Sequence, residues 1–169
     1  MSDTPRSRLV LIRHAHAARG PAMHDSSRPL DERGRQACVE VADLLRSTGH
    51  RFDGILCSPT VRTRETLSLV VPEAGDAPVR YLETLYLQGT EAYFEAVRTL
   101  GGSSTLLVGH NPMTHAFAHA LCGSGENDGL AALAKGFPTA AVAVIEFARP
   151  LDALEPGSGE LIQFFQPKK

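Results

Sequence analysis

Three short stretches carry residue types that can handle a phosphoryl group. The first is Leu9-Val10-Leu11-Ile12-Arg13-His14-Ala15-His16, where four aliphatic residues break at once into a guanidinium and an imidazole. Arg13 offers a planar fork matched to phosphate oxygens, and His14 offers a nitrogen nucleophile of a type that is substantially neutral near pH 7. The second is Thr105-Leu106-Leu107-Val108-Gly109-His110-Asn111-Pro112, again aliphatics running into a histidine. The third is Ser58-Pro59, with Arg62 three residues beyond the proline. Phosphoryl transfer needs an in-line attacker, positive groups on the equatorial oxygens and often a proton donor for the leaving group. His14 as attacker, with Arg13, Arg62 and His110 as clamps, meets the first two needs.

Such residues act together only if the chain brings them to one place. Leu9–Ile12 reads as a strand buried on both faces, and ligands of open α/β sheets bind at the carboxyl ends of strands. Thr105–Val108 is a second such strand, followed by Asn111 as an expected N-cap and Pro112 as a first helical residue. That helix N-terminus, with unpaired N–H groups, suits an anion. Ser58 is expected to cap a helix begun by Pro59 and ended before Pro72, with any phosphate contact secondary. In its first turn Arg62 can reach back over the N-terminus, whereas Arg64 lies about 200° around the helix.

The remaining elements follow from periodicity and punctuation. Met1–Arg8 is polar and expected to fray. Asp31 caps a helix to about Ser47 that stops at Gly49, with Ala37, Val41, Leu44 and Leu45 as its buried stripe. Phe52–Cys57 reads as a short strand and Pro78–Leu82 as an edge strand. Thr90 opens a helix with Phe94, Val97 and Leu100 inward, and Gly101-Gly102 turns the chain into the second histidine-bearing strand. The helix from Pro112 stops near Gly123. Ser124–Phe137 carries no clear pattern, and Thr139–Phe147 and Glu160–Phe165 read as strands joined by a Pro/Gly-rich turn. Strands alternating with helices predict a three-layer α/β sandwich with a mostly parallel central sheet.

Arg13-His14 after a strand, Ser58-Pro59 with Arg62 before Thr66, and Gly109-His110-Asn111-Pro112 resemble the histidine phosphatase (phosphoglycerate-mutase-like) superfamily. The short length and the Val-Gly-His-Asn-Pro wording look most like its SixA-type phosphohistidine phosphatase branch. The resemblance runs from Leu9 to about Phe147; the glycine usual after the first histidine is Ala15 here. It implies one histidine phosphatase domain over residues 1–169, phosphate binding by Arg13, Arg62, His110, Asn111 and Ser58, and a phosphohistidine intermediate on His14 without metal or other cofactor. The family's Arg-x-x-x-Thr pattern selects Arg62 over Arg64. Leu82-Glu83-Thr84-Leu85-Tyr86 loosely resembles the family's acid segment, which makes Glu83 the expected general acid. The implied substrate is a phosphorylated protein, most simply a phosphohistidine, or a small phosphorylated molecule.

Composition narrows the classes. The 169 residues are 43% hydrophobic and 21% charged, with formal net charge −2, so nothing draws the whole chain to nucleic acid or anionic lipid. Basic residues are scattered and aromatics are only 6%, which leaves nucleic-acid recognition without a platform. No signal peptide or membrane span is read, and Cys38, Cys57 and Cys122 form no CxxC, so a cytoplasmic location is expected. No GxxxxGK phosphate loop occurs. Each chosen residue has a plainer reading, a solvated arginine or a core histidine satisfied by backbone. Three alternatives stay open: a small-molecule phosphomonoesterase, a non-catalytic phosphate or phosphoprotein binding module keeping Arg13, Arg62 and His110, and a metal hydrolase on His14, His16 and His115. His115 and His119, one helical turn apart, lack the glutamate of HExxH and read as a polar helix face.

Overall fold

Side-chain alternation fixes how the central strands sit. Leu9 and Leu11 join one apolar cluster while Val10 and Ile12 join another, so this strand carries core on both faces. Leu107 and Leu56 fall on the first side, and Leu106, Val108, Ile55 and Cys57 on the second.

The computed structural model describes residues 6–71 and 77–168. In chain order the elements are β1 (Ser7–Arg13), α1 (Glu32–Thr48), β2 (Gly54–Cys57), α2 (Val61–Val70), β3 (Val79–Tyr81), α3 (Thr84–Leu87), α4 (Thr90–Leu100), β4 (Ser104–Gly109), α5 (Met113–Leu121), β5 (Cys122–Gly125), α6 (Asn127–Lys135), β6 (Val142–Phe147) and β7 (Gly159–Phe165). Single 3₁₀ turns occur at Asp25–Ser27 and Leu151–Ala153. The strands form one sheet in the order β3-β2-β4-β1-β6-β7-β5. β1, β2, β3 and β4 are mutually parallel, β6 opposes both β1 and β7, and β5 is parallel to β7, so β6 alone runs against the rest. Helices α1 and α2 cover one face; α3 to α6 cover the other. This is the three-layer, mostly parallel sandwich that the alternation of elements predicts. No described helix is long and apolar enough to cross a membrane.

Several local readings meet their expected chemistry. Asp31 caps α1 by accepting the Gly34 N–H at 2.9 Å, and Gly49 ends the helix in the left-handed region at φ 67°. Ala37 and Leu44 are only half-buried; Gly34, Cys38, Val41, Ala42 and Leu45 form the buried stripe. Gly101 closes α4 at φ 64°.

Others differ for identifiable reasons. β1 begins at Ser7, because Arg8 pairs with Ser104 on β4 and its guanidinium meets Glu146 at 2.8 Å on β6. The segment expected to fray therefore ends earlier, and Met1–Pro5 lie outside the described residues. Ser58 is not the cap of α2; Thr60 is, its hydroxyl accepting the Thr63 N–H. That helix ends at Val70, and Pro72 lies outside the described residues. Asn111 does not cap α5, whose N-cap position falls at Pro112 without a side-chain bond. The patternless Ser124–Phe137 stretch contributes to β5 and forms α6. β5 is Cys-Gly-Ser-Gly, which has no strand propensity and exists by pairing with β7 at the sheet edge.

β1 and β4 lie side by side at the centre, with Arg13 opposite Gly109. One residue further along each strand places His14 beside His110. The chain moves from β1 outward through β2 to β3, then returns to β4, so this junction is the reversal point where such sheets bind ligands. Gly109 is required there: a Cβ would lie 2.5 Å from the Tyr93 hydroxyl and 3.0 Å from Thr114 Oγ1. Gly109→Ala should destabilise by about 1–3 kcal/mol, the usual cost of overpacking. Combining it with Tyr93→Phe should cost less than the sum of the single changes in a denaturant titration; strict additivity would contradict this packing.

Candidate active site

A cavity of about 350 Å³ opens at the ends of β1 and β4, lined among others by Arg13, His14, His16, Asp25, Arg62 and His110. His14 is buried at its base, and its backbone N–H donates to the Gly109 carbonyl at 3.0 Å, joining the two strand ends. Its Nδ1 lies 2.8 Å from the Ala15 carbonyl. A carbonyl only accepts, so Nδ1 carries the hydrogen and Nε2 keeps the lone pair. Burial, then the charges of Arg62 and Arg13, push His14 down to about 4 against the opposing pull of the Ala15 carbonyl. The imidazole is therefore neutral at physiological pH, with a free nitrogen for attack.

Arg62 is 5% exposed, whereas Arg64 is exposed and stacks on Tyr81 with its guanidinium carbon 3.9 Å from the ring centroid. Helix geometry thus puts Arg62, not Arg64, in the cavity. Thr66, one turn on, explains the Arg-x-x-x-Thr spacing. Its hydroxyl accepts the Ala15 N–H at 3.0 Å and donates to the Arg62 carbonyl at 2.7 Å. One side chain thereby fixes α2, which carries Arg62, against the loop that follows His14. Ala15 itself is fully buried in the α1/α2 core, so its methyl is accommodated where the family usually has glycine.

Arg13 donates to the Phe137 carbonyl at 3.1 Å, and Asn111 Nδ2 donates to the same oxygen at 2.8 Å. Phe137 leads into Ala140, held at φ 60°, whose N–H meets the carbonyls of Arg13 and His14 at 3.0 and 3.2 Å. The loop before β6 therefore positions Arg13 and Asn111 together. His110 is held at both ring nitrogens: Arg62 donates to Nδ1 at 3.4 Å, and Nε2 donates to Ser58 Oγ at 2.7 Å. Burial, then His14 and Arg62, push it down to about 3. It is thus neutral and links Arg62 to Ser58. Its ring lies 5.2 Å from that of His14, centroid to centroid. Ser58, expected chiefly as a cap, is fully buried and instead supports His110.

Glu83 does not join the site. It is exposed at the start of α3 and is not among the residues lining the cavity. From the same segment it is Tyr86 that reaches the cavity, its hydroxyl donating to Asp25 Oδ2 at 2.5 Å. Asp25 comes from the Ala17–Leu30 loop, where no periodicity marked it. Arg62 donates to its main-chain oxygen at 2.6 Å and its carboxylate at 3.0 Å. The Tyr86 hydroxyl, then Arg62, hold the Asp25 carboxyl down to about 2, so it is ionised at neutral pH.

The metal set His14, His16 and His115 is not assembled. His16 bonds Asp31, His115 bonds the Leu133 carbonyl at 2.6 Å between α5 and α6, and no group of three metal-binding side chains gathers among the described residues.

Residues 9–86 match the histidine phosphatase superfamily, branch 1. An uncharacterised protein of Mycobacterium tuberculosis is 34% identical over 162 residues, covering 93% of this chain and all of that protein. A structure assigned as phosphohistidine phosphatase SixA of Agrobacterium tumefaciens is 32% identical, with TM-score 0.78, and covers 95% of this chain and 99% of its own. One given the same assignment, from Nakamurella, is 28% identical with TM-score 0.80 over 96% of both chains.

The site has a stability signature. Both imidazoles are depressed when folded and return to about 6.5 on unfolding, so the unfolded chain binds more protons below that value. Stability should be full above about pH 7 and fall as pH drops from about 6.5 towards 4, with His50, lowered by burial, acting in the same direction. Urea midpoints at pH 7.5 and 5.0 should show the drop, and His14→Asn should make it shallower; a flat profile would contradict the burial argument. For activity, Arg62→Ala should cost on the order of 10²-fold or more in kcat/KM, the scale of one preorganised donor, and Arg64→Ala almost nothing. Equal losses would contradict the placement of Arg62.

Proposed function

The chain belongs to the histidine phosphatase superfamily as a SixA-type phosphatase, and we propose that it works through a phosphohistidine on His14 with a protein-borne phosphohistidine as preferred substrate. The observation that carries this reading is the state of His14: neutral, with Nδ1–H held by Ala15 and Nε2 free beside two arginines. Nε2 attacks phosphorus while Arg13 and Arg62 take the equatorial oxygens, and the incoming phosphoryl group displaces Asp25 from Arg62. Because Nδ1 keeps its hydrogen, phospho-His14 is an imidazolium and leaves readily when water attacks. Arginines supply the positive charge a metal would otherwise bring, so the reaction needs no cofactor.

The leaving group argues for a P–N bond. Asp25 is an ionised carboxylate and Glu83 lies off the cavity, so among the described residues no carboxylic acid lines the cavity ready to protonate an alkoxide. A phosphohistidine needs none: its second ring nitrogen takes a proton from water before the bond breaks, and neutral imidazole departs. The names of the SixA structures point the same way, as does a site with only α3 and α4 between Glu83 and β4, which leaves little chain for a lid. The unpaired thiols Cys38, Cys57 and Cys122 suit the reducing cytoplasm.

With EDTA present, kcat/KM for a phosphohistidine carrier protein should exceed that for sugar phosphates by about 10² or more, the scale of a missing general acid. Glu83→Gln should change neither, and His14→Ala should abolish turnover while the protein stays folded. Strong preference for one sugar phosphate would identify a small-molecule phosphomonoesterase, and binding without turnover a phosphoprotein-binding module. Loss of activity on chelation, restored by zinc, would overturn the metal-free mechanism.

A further inference from the structure

The mechanism leaves one cavity-lining imidazole unused. His16 lines the same cavity as His14, two residues beyond it on the same loop. Its Nδ1 lies 2.5 Å from Asp31 Oδ2. A carboxylate accepts, so the hydrogen is on Nδ1, and in the neutral ring the lone pair is on Nε2. No hydrogen bond to Nε2 occurs among the described residues.

The mounting is rigid. Asp31 uses its other carboxylate oxygen to cap α1 at the Gly34 N–H, and its own N–H donates to the His16 carbonyl at 3.2 Å. The first turn of α1 packs so closely on this loop that a Cβ at Gly34 would lie 2.1 Å from the His16 carbonyl oxygen. A carboxylate that orients an imidazole through Nδ1 and leaves Nε2 as base is the arrangement by which a histidine takes a proton from an attacking hydroxyl. A solvated surface histidine has no need of such a support.

We propose that His16, positioned by Asp31, is the general base for the second half-reaction, the hydrolysis of phospho-His14. Water attacks phosphorus, the P–N bond to His14 breaks, and the water proton passes to His16 Nε2. The bonding pair returns to His14 Nε2, inorganic phosphate leaves, and His16 gives the proton to solvent. The role rests on phospho-His14 being the intermediate. It asks nothing of His16 in the first half-reaction, where imidazole leaves without a positioned acid. His16 is then a catalytic residue and Asp31 a positioning residue.

The test is pre-steady-state kinetics with p-nitrophenyl phosphate, whose good leaving group makes phosphorylation fast. In His16→Ala and His16→Gln, release of one equivalent of nitrophenol per site should persist. The following steady rate should fall about 10²-fold, within the range for a positioned base, and phosphoenzyme should accumulate. Asp31→Asn, which retains an N-capping side chain, should shift the same balance less, and added imidazole should restore part of the steady rate in His16→Ala. If the burst slows in step with the steady rate and no phosphoenzyme accumulates, His16 serves binding or folding and the assignment is overturned. If wild-type enzyme forms no phospho-His14 at all, the intermediate itself fails and this role with it; the two failures are told apart by the wild-type control.

Discussion

The site depends on keeping an imidazole uncharged among fixed positive charges. A histidine in water is partly protonated near neutrality, and a protonated ring has no lone pair to give. Burial at the end of β1 disfavours the cation, and Arg62 and Arg13 disfavour it further, so His14 falls to about 4. The guanidiniums proposed to bind a phosphoryl group therefore also hold His14 in the neutral form that keeps a lone pair. An anion brought into the cavity offsets the repulsion that the resting site endures. In the free protein that offset comes from Asp25, which occupies the fork of Arg62.

Everything around this cluster serves to hold it at short range. The adjacency of β1 and β4 sets the two histidines side by side, and Tyr93 supports the second by accepting the His110 N–H at 3.0 Å while donating to the Leu85 carbonyl. Thr66 ties the Arg62 helix to the Ala15 amide, and the Phe137 carbonyl draws Arg13 and Asn111 to one point. Backbone atoms from distant elements thus do much of the positioning. Two guanidinium nitrogens of the cluster, Arg13 Nε and Arg62 Nε, are buried with no hydrogen-bond partner among the described residues, a cost that a rigid surround can sustain.

Residues carried by regular elements were legible in the sequence. His14 and His110 are read from aliphatic runs ending in histidine, and Arg62 is separated from Arg64 by helical angle together with the Arg-x-x-x-Thr pattern of the family it resembles. Contacts made across loops were not legible. Asp25 sits in a Gly/Pro-containing loop with no period to mark it, and its value lies in a pairing with Arg62, far along the chain. Ser58 looks like a cap because serine before proline usually is one; only the placement of His110 shows that its hydroxyl is spent there. Glu83 and Tyr86 share one short segment, and which of them faces the cavity is decided by Leu85 burying itself beneath α4, a tertiary choice. β5 has no strand signal because its pairing with β7, not its composition, makes it a strand.

If His14 carries the phosphoryl group, enzyme mixed with ³²P-labelled substrate, quenched in alkali within the first turnover and digested will hold label that survives alkali, is lost in acid, and resides on the peptide containing His14. Label on any other residue, or full turnover with no label captured on that peptide, would contradict that role for His14.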